Sequence, residues 1–213
     1  MEDIIEKLKN PYDNLKANDE KGFIQKCHEL AEELLNNYCI QCGNKRYYFA
    51  EIEFYYYEKD RWDKEWNEKT YPRTDKDAGS FFFHYSGFDI CFESKFDKGK
   101  FGGILIRSIR DEVGKFITGP SVCSLEILNV CYKQKEWPKL VPSSNEGCIL
   151  CENPIKRYGI EDKALCYYDE RLKDNLKNEF DNAAWDYSKV KDGVLKGPKK
   201  LIRYYHRFDD IES

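Results

Sequence analysis

Residues 46–57, Arg-Tyr-Tyr-Phe-Ala-Glu-Ile-Glu-Phe-Tyr-Tyr-Tyr, constrain the fold of this chain more than any other stretch. Flat amphipathic rings suit a half-buried pleated surface, so the run reads as one long β-strand. Alternation puts Tyr48, Ala50, Ile52, Phe54 and Tyr56 on one face. Tyr47, Phe49, Glu51, Glu53, Tyr55 and Tyr57 take the other. Two carboxylates therefore share a ring-lined face, about 6.5–7 Å apart along the strand. Rings around a carboxylate raise its pKa by desolvation, an arrangement suited to acid–base chemistry. The same pattern also fits an exposed edge on which tyrosines shield two surface charges.

A second strand, Phe101–Ile109, carries the matching cation. Ile104, Ile106 and Ser108 face one way; Gly103, Leu105, Arg107 and Ile109 face the other. A buried arginine in so apolar a strand needs a carboxylate or a ligand phosphate as partner. Gly102-Gly103 allows a bulge or a close backbone approach. Strands are also expected at Ser80–Tyr85 and Phe88–Glu93, joined by a turn at Ser86-Gly87. Short strands are expected at Ile155–Ile160 and at Lys199–Phe208.

Helices flank these strands. Phe23, Ile24, Cys27, Leu30, Ala31, Leu34 and Leu35 recur with helical period over 19–37, behind a cap at Asn18 or Asp19. A shorter helix spans Asp3 to Leu8, and Gly119-Pro120-Ser121 opens another that runs to about Val130. The segment 58–78 reads as a long surface excursion with a turn at Pro72-Arg73, and 162–187 as partly helical at best. With 213 residues and no linker or repeat, one domain is expected over 1–213. Its class is α+β: a curled, mostly antiparallel sheet flanked by helices, with a helical part at 1–45 and the main body at 46–208.

Nine cysteines without a secretory leader read as thiols or metal ligands. Cys39-Ile-Gln-Cys42 and Cys148-Ile-Leu-Cys151 have the spacing of zinc knuckles, and together they would complete a four-thiolate structural site. More than a hundred residues separate the pairs, so ordinary buried cysteines remain the other reading. No cofactor is otherwise called for. No apolar run approaches a membrane span of ~20 residues, and Met1-Glu2-Asp3 lacks a leader's layout, so the cytoplasm is the expected location. The net charge of −4 gives little long-range attraction to nucleic acid. Lys196, Lys199, Lys200, Arg203 and Arg207 form the cluster that would meet a phosphate backbone.

The strand Ala50-Glu-Ile-Glu-Phe-Tyr55 resembles Val-Glu-Thr-Glu-Ala-Tyr of the alkyladenine (3-methyladenine) DNA glycosylase family. The likeness continues in order. Pro72-Arg73 and Ala78-Gly79-Ser80 resemble the family's Pro-Arg and Pro-Gly-Thr, and Gly103-Ile-Leu-Ile-Arg107 its apolar strand ending in arginine. Gly119-Pro120-Ser121, Arg157-Tyr-Gly-Ile160 and Leu201-Ile-Arg-Tyr-Tyr205 resemble its later motifs. The resemblance implies a pocket in which a flipped purine nucleotide lies between rings. It implies Glu53 as general base towards a water at the anomeric carbon, with Glu51 preceding it without that role. Tyr55 falls on the stacking tyrosine, and Arg107 on the active-site arginine that steadies a phosphate or the catalytic carboxylate. His84, Tyr85, Asp89 and Glu93 fall on the hairpin that lines the pocket. Glu93 stands at or near the asparagine that tests the base, and His84 at a stacking position. The tip Tyr85-Ser86-Gly87 is one residue shorter than in the family. Ser86 is nearest the place of the tyrosine wedged into DNA, and a family histidine after Tyr55 has no counterpart.

Three functions follow as expectations. One is an N-glycosidic hydrolase acting on a purine nucleotide or nucleoside derivative. The second is a non-catalytic protein that captures a nucleotide signal in defence or anti-defence. The third is a base-excision enzyme. The missing wedge and acidic charge favour a small ligand, with weak DNA binding.

Overall fold

A computed structural model describes residues 3–9, 11, 15, 19–58, 70, 76–94, 99–152, 155–156 and 165–182. The chain begins with α1 (Ile4–Lys9) and α2 (Glu20–Asn37), followed by β1 (Tyr38–Cys42) and β2 (Lys45–Glu58). Then come β3 (Phe81–His84), β4 (Gly87–Cys91), β5 (Lys100–Asp111) and β6 (Phe116–Thr118). The helix α3 (Pro120–Gln134) leads to β7 (Lys139–Pro142), β8 (Ile155–Lys156), β9 (Leu165–Tyr168) and α4 (Glu170–Asn182). Pro72-Arg73, Arg157–Ile160, Lys199–Phe208 and the cluster Lys196, Lys199, Lys200, Arg203 and Arg207 lie outside the described residues.

Among the described residues, nine strands form one antiparallel sheet in the order β3-β4-β5-β2-β1-β7, with β6 added to β5 and the β8–β9 pair added to β2. The long central pair β2–β5 gives the sheet its axis, and its curl makes a half-barrel. The α+β class expected from the sequence is the class observed. Tyr38–Cys42, which the sequence reading leaves with the N-terminal helices, is an integral strand, so the helical part and the main body share one sheet. No helix among the described residues is long and apolar enough to cross a membrane.

Each face of β2 has its own helix. Asp19 caps α2 by accepting from the Gly22 backbone N–H at 3.0 Å, which satisfies a first-turn donor. The α2 stripe Phe23, Cys27, Leu30, Ala31, Leu34 and Leu35 is buried as its period requires. It meets the Ile52–Phe54–Tyr56 face: the Phe23 and Tyr56 rings lie 6.4 Å apart, and Tyr167 of β9 donates its hydroxyl to the Ile24 carbonyl at 3.1 Å. The opposite face meets α3, where the Tyr47 hydroxyl donates to Glu126 at 2.7 Å and the Cys131 thiol approaches Cys42 at 3.6 Å. The start of α3 sits on the β3–β4 hairpin. A Cβ on Gly87 would come within 2.7 Å of Pro120, so only glycine lets helix and hairpin approach so closely.

Candidate functional site

Pairing along β2–β5 is regular except at one place. Phe49 is opposite Ile109, Glu51 opposite Ser108, and Ile52 opposite Ile106, so the register skips Ala50 on one strand and Arg107 on the other. Both skips fall where the outer neighbour changes. On β2 the outer partner is β1 over Lys45–Tyr48 and β9 over Glu51–Phe54. On β5 it is β4 up to Leu105 and β6 from Ser108. The Ala50 carbonyl accepts from Asp169 N–H at 2.9 Å, and the Arg107 carbonyl from Gly119 N–H at 2.7 Å. A forked sheet thus makes two opposed irregularities, and such bulges re-aim side chains.

The re-aimed side chains converge. Arg107 donates from Nε to Glu51 Oε1 at 3.2 Å and from Nη1 to Glu53 Oε2 at 2.5 Å, while Ser108 Oγ donates to Glu51 Oε2 at 3.0 Å. Strict alternation would send Ser108 to the far face; the register skip brings it to the same carboxylate as Arg107. All four are buried, Glu53 with 0% exposure and Arg107 with 6%. Burial pulls the Arg107 pKa down, but the charge and hydrogen bond of Glu53, with Cys166 and Tyr55 adding to the charge effect, leave it raised. The guanidinium stays charged between two carboxylates.

Further along this face, Tyr55 is half-buried and pairs with Gly103. Across the sheet, Glu53 pairs with Leu105 and Leu105 with Asp89. At 4.7–4.9 Å per strand, Glu53 and Asp89 stand roughly 10 Å apart at the backbone, on one face. Asp89 is 1% exposed, and its Oδ2 lies 3.4 Å from His84 Nε2. His84 Nδ1 accepts from the Ser86 N–H at 3.2 Å, so a neutral imidazole carries its proton on Nε2, facing Asp89. The hairpin residues therefore divide. His84 and Asp89 belong to the polar face of the cluster. Tyr85 stands fully exposed at the turn. Glu93 lies past the end of β4, with its N–H bonded to the Leu8 carbonyl at 3.1 Å, against α1.

The four knuckle cysteines do not gather. Cys39 and Cys42 are three apart on a strand and point to opposite faces, Cys39 beside Ser143 and Cys42 against Cys131. Cys148 lies beside Asp169, and the Cys151 sulfur accepts from the Tyr168 N–H at 3.4 Å. Among the described residues, no group of three or more His, Cys, Asp or Glu side chains is placed to hold a metal ion.

A surface groove of about 660 Å³ between β6 and α3, lined by Phe116, Val122 and Leu125 among others, shares no residue with the cluster. Fold and site together define an antiparallel α+β half-barrel whose α3-side face carries a buried Glu–Arg–Glu group beside an Asp–His pair. No family model matches the chain, and neither a curated protein nor a solved structure matches it.

Proposed function

We propose that this protein recognises a purine nucleotide or nucleoside derivative and hydrolyses its N-glycosidic bond, with Glu53 as general base and Arg107 as the residue that holds it. The observation that carries this reading is the meeting of two buried carboxylates on one guanidinium. Glu51 and Glu53 both contact Arg107 inside the fold, on one face of the central strand pair. Fixed negative charge in a water-poor site stabilises positive charge that develops during reaction. Cleavage of a bond to an anomeric carbon passes through an oxocarbenium-like state, which is such a charge.

The step balances simply. Glu53 takes a proton from a water, whose oxygen bonds to the anomeric carbon. The carbon–nitrogen bond breaks, and the base leaves with the electron pair and is protonated from solvent water. Tyr55 offers a ring for the departing base. The likeness of 50–55, 103–107 and 119–121 to the alkyladenine DNA glycosylases supports the same assignment of Glu53, Tyr55 and Arg107. The net charge of −4 weighs towards a free nucleotide over duplex DNA, whose binding draws on cationic side chains.

The test is release of free purine from a panel of nucleosides and nucleotides, followed by chromatography, for the wild type and Glu53→Gln. The expected result is turnover by the wild type alone, with ligand binding within a few-fold in both. Equal loss of binding and turnover would make Glu53 a structural ion-pair partner. Binding without product in the wild type would favour the capture reading.

One observation favours base excision from DNA as a second reading. Tyr85 projects wholly into solvent from the hairpin tip, and an exposed ring there can fill the gap left by an extruded base. Nanomolar binding to a lesion-containing duplex at physiological salt, abolished by Tyr85→Ser, would establish it.

A further inference from the structure

Among the described residues, no strand covers the outer edge of β6. The Asp111 N–H donates to the Lys115 carbonyl, and the Gly119 N–H to the Arg107 carbonyl. Bonded and open pairs alternate along an antiparallel ladder, so Ile117 exchanges its hydrogen bonds with Ile109, while Phe116 and Thr118 turn their N–H and C=O groups outward. Those outward groups have no partner among the described residues, although Phe116 is half-buried and Thr118 buried. Backbone groups this poorly solvated are normally paired. The groove between β6 and α3 opens along the same edge, with Val122 and Leu125 in its far wall. These two side chains are exposed, at 53% and 68%, and Val113 in the β5–β6 turn is at 88%. An open strand edge and an exposed apolar wall therefore lie side by side, as they do where another chain docks.

We propose that this edge is where two copies of the chain meet, as an antiparallel β6–β6 pair about a two-fold axis through Ile117. The spacing of the open groups points to a second copy. An antiparallel pair bonds through every second residue, and Phe116 and Thr118 are two apart. With Ile117 on the axis, Phe116 of each copy lies opposite Thr118 of the other. Every outward N–H and C=O of these residues is then satisfied. The axis stands perpendicular to the sheet, so both α3 helices lie on one face of the joined sheet. The two grooves merge into a slot walled by Val122 and Leu125 of both copies, and the β5–β6 turn brings Val113 beside the start of the other copy's α3. Such an interface uses the same patch on both sides and closes at two copies. Charge agrees with it, because each groove carries Lys115 together with Asp111 and Glu126, so both signs are present on each side. A lone extended peptide would cover the edge and leave Val113 bare; a second copy covers both.

The experiment is sedimentation velocity on the full chain over a concentration series from low micromolar to submillimolar. A reversible monomer–dimer equilibrium in the micromolar range is expected, as a small interface implies. Leu125→Glu sets two carboxylates against each other at an exposed position and should weaken the dimer about tenfold or more. Thr118→Pro removes an outward N–H without touching a bond to β5, and should weaken it likewise. Ile117→Cys puts two thiols in the open pair on the axis, where the Cα atoms approach to about 4.5 Å, within reach of a disulfide. Oxidised glutathione should then link two copies of that variant, leaving two molecules of reduced glutathione, and should not link the wild type. A chain that stays monomeric throughout the series overturns the proposal. A dimer unmoved by Leu125→Glu overturns it too, and that exposed site decides the matter even if Thr118→Pro fails to fold. Failure of Ile117→Cys to link the copies, or growth beyond two, overturns it as well.

Discussion

Glu51 and Glu53 are held in the interior by Arg107, and each responds differently to its loss. Glu51 also accepts from Ser108 at 3.0 Å, whereas Glu53 sits at 0% exposure with Arg107 at 2.5 Å. Arg107→Met removes the guanidinium and leaves both carboxylates in a low-dielectric interior, and breaking a buried pair in this way costs about 3–5 kcal/mol. Urea unfolding should show that loss, and a second substitution, Glu53→Gln, should recover part of it by removing one charge. A single variant as stable as the wild type would mean the carboxylates are solvated and the cluster is open. Ser108→Ala removes a lesser partner and should cost about 1 kcal/mol in the same assay. The alternation of 46–57 puts Glu51 and Glu53 on one face, and that of 101–109 shows that Arg107 needs a partner, but which partner it meets depends on the pairing of β2 with β5, which alternation does not give. Ser108 was not legible, because neither Ala50 nor Arg107 is a Gly or Pro that would flag a bulge. The irregularity comes from which strands flank β2 and β5, a property of the whole sheet.

Elements were legible in proportion to how many residues repeat their pattern. α2 shows its buried stripe over 18 residues and an Asp19 cap, and β2 its rings over 14. β1, β6, β7 and β9 have three to five residues each, too few to display a period; β1, β6 and β9 become strands on edges that the long β2 and β5 offer, and β7 in turn adds to β1. α4 anchors itself through Leu172 and Leu176 in an otherwise polar stretch, which is why 162–187 reads as only partly helical. A zinc knuckle needs a turn between its thiols, whereas Cys39 and Cys42 lie in an extended strand, which the spacing of the two cysteines alone does not reveal. Gly102 by sequence permits a bulge or a close approach, and the structure shows a close approach. A Cβ there would stand 2.5 Å from the Tyr55 carbonyl oxygen and 2.8 Å from the Phe92 ring. Because one of those atoms is backbone, the strand pair itself must shift. Gly102→Ala should therefore destabilise by about 1–3 kcal/mol, as overpacking does. It should also lower ligand affinity, since Tyr55 and Gly103 belong to the same stretch. A neutral effect on urea unfolding would show that β2 and β5 separate freely at this end.

At the scale of the whole molecule, the core is unusual in its acids. All nine cysteines are free thiols, eight of them buried, and Tyr47, Tyr167 and Tyr168 are buried with them. Burial pushes Cys42 and Cys148 up from 9.0 to about 12, and Cys151 to about 11. The three tyrosines are likewise raised above 10.0, first by burial. These groups are neutral when protonated, and the folded state holds their protons more tightly than the unfolded chain does. Their contribution to stability is therefore complete below about pH 9, where unfolded thiols begin to ionise, and declines as pH rises through the folded values. Below pH 9 the same groups contribute no slope. Urea midpoints measured in reducing buffer should stay level from pH 7.5 to 8.5 as far as these groups are concerned, then fall between pH 9 and 11. Cys151→Ala should make that fall shallower, because one proton fewer is released on unfolding. Tyr47, Tyr167 and Tyr168 are raised as well, so their own ring signals in NMR spectra should turn to the tyrosinate form with unfolding and not before it. A midpoint that holds level to pH 11, or ring signals of Tyr47, Tyr167 or Tyr168 that turn to tyrosinate in the folded protein well before the transition, would mean water reaches these groups and the half-barrel's two faces are not sealed by α2 and α3.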